Sequence, residues 1–516
     1  MHEPLRPAAG SLLDRFPAII AAGAGAGAAL GLPPWGAWPL TLPGFALLVL
    51  ALHAHGPRRA FGIGWGFGFL WFVVGLGWLA QAFTFQSAMP AWMGHVAHLG
   101  LAAFLALFWG LACRIARSLA TTPPSLVVAV SGALLLAELA RGFLFTGFPW
   151  NPPGLVLLPL PGVRDAAAFI GADGLTAALL LASGALALLV LRRPKEGGLV
   201  LLLAGLLVLP GLARLGTQPA PPPGALLLLV QPNSSQAEKH GENGTERHLL
   251  SHIRATEAAL AGLTAEQRAR LAAVIWPEGA IEFPLEENAW LGTLVTRALP
   301  AQAHLVTGTI AVERDASGQA LALRNSMSVL DSAGRIIARY DKAHLVPGGE
   351  YLPLRAIAEP LGLARLVPGT LDFWPGPGPR TLDLPGLPPV AAAICYEIIF
   401  AGRVVDRARR PEWILTVSSD AWFGPSGPPQ HFAQARLRAV EEGLPIVRVT
   451  PTGISGVISA RGAVVAALPA HRAGHLAVEL PGALPPTPFA RLGLWLPLAL
   501  AILLLGTGAA LGRRKT

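Results

Sequence analysis

Three side chains in the second half of the chain are of the types that acyl transfer needs. Glu278 follows the apolar start of AVIWPEGAIEFP, Lys342 sits in RYDKAHLVPGGEYLP with Glu350 eight residues on, and Cys395 closes the apolar start of AICYEIIF. A cysteine attacks as thiolate, yet a free thiol with a pKa of about 8.5 is mostly protonated at neutral pH. A carboxylate can take that proton, and an ammonium with nearby backbone N–H groups can hold the anion that develops on the attacked carbonyl. Glutamate, lysine and cysteine therefore form a complete acyl-transfer set. Spacing does not bring them together, because 64 residues separate the first two and 53 the last two. Each also has a plainer reading. A lone cysteine in an apolar strand is commonly a small core residue, and a Glu or Lys at a strand end is commonly just solvated. Residue types alone leave the function open. Glu397 sharpens the question, since a carboxylate inside an apolar run is costly unless paired.

The elements that must position these residues are short strands alternating with helices. After a Pro-rich linker, TQPAPPPG, strand-like stretches recur: GALLLLVQPN, AAVIWPE, AHLVTGTIAV, SMSVLDSAGRIIARYDK, VAAAICYEIIF, WILTVSSD, PIVRVTPTG and AVVAALPA. Between them, ERHLLSHIRATEAALAGLTAEQRARLA and QHFAQARLRAVEEG read as helices. Several strands end where polar residues begin, which predicts a layered α/β domain over 217–487 with ligands at strand ends.

The rest of the chain has a different texture. Of 516 residues, 53% are hydrophobic and only 13% charged, against about 25% charged in ordinary soluble domains. Apolar runs at 16–32, 39–54, 60–80, 89–113, 125–145, 167–191, 198–215 and 490–511 approach or exceed the ~20 residues that cross a bilayer. The first run, AAGAGAGAALGL, resembles a signal peptide in isolation, but the series behind it predicts a multispanning protein whose small residues let helices approach closely. Arg58/Arg59, Arg114/Arg117, Arg192/Arg193/Lys195 and Arg513/Arg514/Lys515 fall on one side if eight helices cross. By the positive-inside rule that side is cytoplasmic, with both termini, and segment 217–487 lies outside it. The expected domains are 1–216 with seven helices, 217–487 as the extracytoplasmic α/β domain, and 488–516 with the eighth helix and a cytoplasmic tail.

The net charge of +9 is spread out, which argues against nucleic acid as a partner. Two isolated cysteines make neither a disulfide framework nor a zinc cluster. Glu138 and Arg141 share a helical face inside the fifth run and read as a structural pair rather than a headgroup site. His95 with His98, and His53 with His55, read as polar lining rather than metal ligands.

Several longer stretches carry a resemblance: GFPWNPPG (147–154), LLVQPN (228–233), IWPEGAI (275–281), YDKAHLVPGGEYLP (340–353), CYEIIF (395–400) and SSDAWFGPSGPPQHFAQARLRAVEEGLPIVRVT (418–450). In this order they resemble the carbon–nitrogen hydrolase (nitrilase) superfamily, and more narrowly its membrane-bound apolipoprotein N-acyltransferases. The resemblance covers nearly the whole chain. It implies a multispanning α-helical membrane domain of about eight helices plus an extracytoplasmic nitrilase-like αββα sandwich, in a bacterial inner membrane. It also implies Glu278 as general base, Lys342 as oxyanion-stabilising cation and Cys395 as nucleophile, with Glu350, Tyr396 and Glu397 in support. The implied reaction is ping-pong. An acyl chain passes from a phospholipid donor, typically phosphatidylethanolamine, to a cysteine thioester and then to the α-amino group of a diacylated apolipoprotein. No cofactor is implied, and a monomer is expected.

Water must stay away from the thioester meanwhile, which suits a domain tied to the membrane. We expect the lipid entrance at AIAEPLGLARLVPG (356–369), with Leu361 and Leu363, and at Trp422 and Phe423. Two departures stand out: His240 where the family commonly has a Trp, and TPTG (450–453) where it often has paired asparagines. The competing readings are a membrane-tethered amidase and a non-catalytic transporter or scaffold.

Overall fold

A computed structural model describes residues 16–85, 89–234, 243–367 and 369–513. His240, Arg514 and Lys515 lie outside them. The chain divides into two compact units, one holding 16–79, 95–217 and 487–513, the other Ala80–Gly94 and Gln218–Pro486.

The first unit is helical. Among the described residues, five helices are long and apolar enough to cross a membrane: Met93–Leu119, Pro123–Arg141, Arg164–Val190, Pro194–Gly216 and Trp495–Arg513. Pro57–Gly75 reaches that standard only together with the short helix after it, and Pro17–Ala29 and Trp38–Ala54 are shorter apolar helices. The first apolar run stops early because Pro33, Pro34 and Gly36 follow it. The fourth continues past Arg114 because Arg117 folds back, its Nε donating to the carbonyls of Leu52 (3.0 Å) and His55 (2.8 Å). Of the glycines in the first run, Gly25 and Gly31 are the close approaches: a Cβ would lie 2.1 Å from the Phe67 carbonyl oxygen at the first and 2.1 Å from Thr41 Oγ1 at the second.

Glu138 and Arg141 form a buried pair within this unit. Arg141 donates from Nε to Glu138 Oε1 at 2.8 Å and from Nη2 to Oε2 at 2.5 Å. Its Nη1 reaches the carbonyls of Phe148 (2.6 Å) and Trp150 (3.0 Å), and Trp109 Nε1 donates to Glu138 at 2.8 Å. The pair thus fastens the GFPWNPPG stretch. Arg141→Ala, which strands a buried carboxylate, should cost about 3–5 kcal/mol. Thermal unfolding in detergent measures it, and Glu138→Ala with Arg141→Ala together should cost less than the two added.

The second unit is built on two six-stranded sheets. One has the order β12-β1-β2-β3-β4-β5 and the other β11-β10-β9-β8-β7-β6. The strands are β1 Leu226–Gln231, β2 Leu271–Ile275, β3 His304–Arg314, β4 Ala320–Leu330, β5 Ile336–Asp341, β6 Thr381–Leu382, β7 Val390–Ile394, β8 Trp413–Val417, β9 Ile446–Val449, β10 Ser455–Ile458, β11 Val464–Leu468 and β12 Gly474–Glu479. Period-two alternation assigns the faces. Leu227, Leu229 and Ile275 from one sheet pack with Val390, Ala392, Ile394 and Leu415 from the other in a single core. Leu226, Leu228 and Val230 turn the other way, onto Leu249 and Ile253 of helix Gly244–Ala261. Helix Gly427–Glu442 is buried along most of its length and packs on β9 of the second sheet. The result is an αββα sandwich.

In both sheets the central strands, β1-β2-β3 and β7-β8-β9, run parallel. Ligands in such sheets bind at carboxyl ends, and β2 leads to Glu278 while β7 leads to Cys395. Gly308 in β3 is required there, because a Cβ would lie 2.4 Å from the Gly279 nitrogen. The run through Phe400 is not one strand. It breaks at Cys395, where a 3₁₀ turn over Cys395–Ile399 begins.

Candidate active site

Cys395 leaves β7 with φ of +52°, a left-handed conformation costing about 1–3 kcal/mol for a side chain of this kind unless its surroundings hold it. Two groups hold it. Glu397 Oε2 accepts from the Ile394 N–H just before it at 2.7 Å, and His431 Nε2 donates to the Cys395 carbonyl at 3.1 Å. His431 is itself fixed beside Asp420 Oδ1 (3.0 Å), and Arg448 Nη2 donates to Asp420 Oδ2 at 2.5 Å. Ser418 Oγ donates to the same carboxylate at 2.7 Å. This buried group was not legible in the sequence; SSD and QHF carry it, but their partners are set only by the packing of helix Gly427–Glu442 on the sheet.

Lys342, just after β5, is buried and faces two carboxylates. Its Nζ lies 3.0 Å from Glu350 Oε1 and 3.6 Å from Glu278 Oε1. Asn325 of β4 joins the same two oxygens, its Nδ2 donating to each at 2.7 Å. Its backbone carbonyl accepts from the Lys342 N–H at 2.8 Å. Glu350 Oε2 accepts from the Val346 N–H at 2.8 Å. Burial works against the Lys342 ammonium, but Glu350, Glu278 and the Cys395 sulfur outweigh it and hold its pKa well above the ordinary lysine value. Burial pushes the Cys395 thiol up; Glu278 adds to this, while Lys342 pulls it down. The resting thiol therefore keeps its proton, and attack needs a base in the same step.

Glu397 is held by hydrogen bonds, and among the described residues it makes no ion pair. Oε1 accepts from the Tyr340 hydroxyl (2.9 Å) and from the N–H groups of Ala343 (2.8 Å) and His344 (3.1 Å), while Oε2 takes Ile394. One carboxylate thus ties the turn carrying Lys342 to the turn carrying Cys395. Burial raises its pKa, and these donors, with the Lys342 ammonium, oppose the rise. Tyr396 packs against His344 and Phe400, with ring centroids 5.6 and 5.1 Å away.

The chain around the expected entrance is irregular. Leu361 ends a 3₁₀ turn, Glu359–Leu361, and Leu354, Ile357 and Leu363 are exposed, which is a loop rather than a core helix. Arg355 anchors it through Glu359 (2.5 Å) and Asp372 (2.6 Å). Trp422 meets the Phe85 ring edge-on at 6.0 Å, and Phe423 meets His431 at 5.6 Å.

Asp420 supplies a pH prediction. Burial alone would raise its pKa, but Arg448, His431 and Ser418 hold it far below the ordinary value of 3.8. A depressed carboxylate adds stability that is complete above the ordinary value and is lost as pH falls below it toward the native one. Asp420→Asn should therefore be less stable at neutral pH and show a flatter loss of stability below about pH 4. Tryptophan fluorescence during acid titration in detergent is the measurement.

A sandwich that places Glu278, Lys342 and Cys395 around one buried point defines a class, the carbon–nitrogen hydrolase type, and residues 233–484 match the family model described as Carbon-nitrogen hydrolase. Residues 24–185 match a second, the Apolipoprotein N-acyltransferase N-terminal domain. An apolipoprotein N-acyltransferase of Allorhizobium ampelinum is 38% identical over 466 residues, covering 87% of each chain. Those of Rhizobium etli and Bradyrhizobium diazoefficiens are each 36% identical, over 89% and 92% of this chain. The chain belongs to the apolipoprotein N-acyltransferase family and is an acyltransferase of bacterial membranes.

Proposed function

We propose that the protein moves a fatty acyl chain from a glycerophospholipid, phosphatidylethanolamine for preference, to the α-amino group of an S-diacylglyceryl-cysteine at a lipoprotein N-terminus. The observation that carries this is the buried Lys342 ammonium held between Glu278 and Glu350 with the Cys395 thiol in its field. Cys395 attacks the ester carbonyl as Glu278 takes its proton. Lys342 stabilises the oxyanion, the C–O bond breaks, and the lysophospholipid oxygen leaves with the proton. In the second half the neutral amine attacks the thioester. A C–N bond forms, the C–S bond breaks, and the amine's proton passes by way of Glu278 to the sulfur. Glu350 supports Lys342, Glu397 positions both turns, and Tyr396 packs beside the nucleophile.

The finer arrangement belongs to the same reading. Eight apolar segments cross the bacterial inner membrane, counting the two shorter helices and the interrupted one. The N-terminus, C-terminus and arginine clusters are cytoplasmic and segment 217–487 is periplasmic, in a monomer. The charge pattern of the loops supports this orientation. Exposed Leu354, Ile357 and Leu363 suit a loop that meets lipid, and with Leu361, Trp422 and Phe423 they form the entrance.

Mass spectrometry of the full chain in detergent with phospholipid alone tests the first half-reaction. A fatty acyl adduct on the Cys395 peptide is expected, and it should disappear on adding a diacylated lipopeptide. An adduct lost at the same rate to water without the peptide would overturn the transfer reading.

A further inference from the structure

Two carboxylates and one lysine share the site, and nothing in their types says which oxygen accepts the thiol proton. Asn325 supplies the answer. Both hydrogens of its Nδ2 are used, one on Glu278 Oε1 and one on Glu350 Oε1, each at 2.7 Å. The amide cannot be turned round, because its oxygen would then face two acceptors. Lys342 contacts the same two oxygens, and Glu350 Oε2 is occupied by the Val346 N–H. Among the described residues, Glu278 Oε2 alone of the four oxygens accepts no hydrogen bond.

We propose that Asn325 is a positioning residue that clamps Glu278 by Oε1, so that Oε2 stays free and aimed to take the Cys395 proton. The proposal rests on Glu278 being the base. The strand itself fixes the clamp, since the Asn325 backbone carbonyl holds the Lys342 N–H at 2.8 Å. One residue thereby sets the base and the cation in register. Glu278 and Lys342 both act on the thiol, and Asn325 bonds the first through its side chain and the second through its backbone carbonyl.

The test is the rate of Cys395 alkylation by iodoacetamide at neutral pH, read by mass spectrometry on the full chain in detergent, with the folded fraction measured on the same preparations by tryptophan fluorescence. Wild type, Asn325→Ala, Glu278→Gln and the double variant are compared. Asn325→Ala should slow alkylation per folded molecule by roughly 10- to 100-fold, and adding it to Glu278→Gln should slow it no further, because the two act through one carboxylate. A wild-type rate in Asn325→Ala, or a loss of the same size on top of Glu278→Gln, overturns the clamp. A wild-type rate in Glu278→Gln overturns the assignment of the base instead, and the two failures are thus told apart.

Discussion

Cys395→Ser is expected to abolish acyl transfer and to leave no acyl adduct after incubation with phospholipid. A serine hydroxyl is smaller than the thiol but fits its place, and it lacks the thiol's acidity and nucleophilicity. The thiol is already pushed up by burial, so only a base acting during attack makes it reactive. An oxygen nucleophile, far less acidic, gains too little from the same carboxylate. Loss of at least about 10³-fold, the scale of removing one member of a unit that acts together, is expected. Assay of labelled lipopeptide acylation reads it, and a Cys395→Ser enzyme acylating peptide at near wild-type rate would remove the thioester from the mechanism.

Lys342→Met should fail in two separable ways. On the mechanism proposed above, rate is lost because the oxyanion loses its cation, an effect of about 10²–10³-fold for one such donor. Stability is lost because two carboxylates, 3.6 and 3.0 Å from the ammonium in the native protein, are left buried without it. Breaking a buried pair in this way costs about 3–5 kcal/mol. Adding Glu350→Gln to Lys342→Met should restore part of the stability and none of the rate. Unfolding temperature and single-turnover acylation, measured on the same preparations, divide the two losses. Lys342→Arg should not rescue, since a planar guanidinium does not fit a site shaped for a compact ammonium.

Much of this was legible in the sequence where local pattern carries it. Strand alternation marked β1, β2 and β7, and polar residues breaking an apolar run marked Glu278 and Cys395. Arg-bearing loops between apolar runs marked the helical unit. What was not legible depends on register. Asn325 looks like any polar residue near a strand start, and the strand-like stretch read from the sequence begins one residue after it. Its role comes from β4 lying between β3 and β5, which sets it among Glu278, Lys342 and Glu350. Tyr340 and His431 were missed for the same reason, since their partners lie 57 and 36 residues away in the chain. Leu363 was legible as an apolar residue of an exposed loop, but what anchors that loop was not. Its loop is held by Arg355 to Asp372, 17 residues on.

The four hydrogen bonds on Glu397 also constrain how the enzyme can diverge. Its carboxylate is a common hub for two turns, so neither reactive group can be re-aimed without displacing the other. If the entrance is as proposed above, new preferences for chain length or headgroup arise at the periphery, through the loop around Leu354–Leu363 and the Trp422–Phe423 stretch, while the centre is inherited as a fixed tool. Libraries randomised at the rim should yield altered selectivity, and those randomised at 341–344 or 394–397 should yield mostly inert protein.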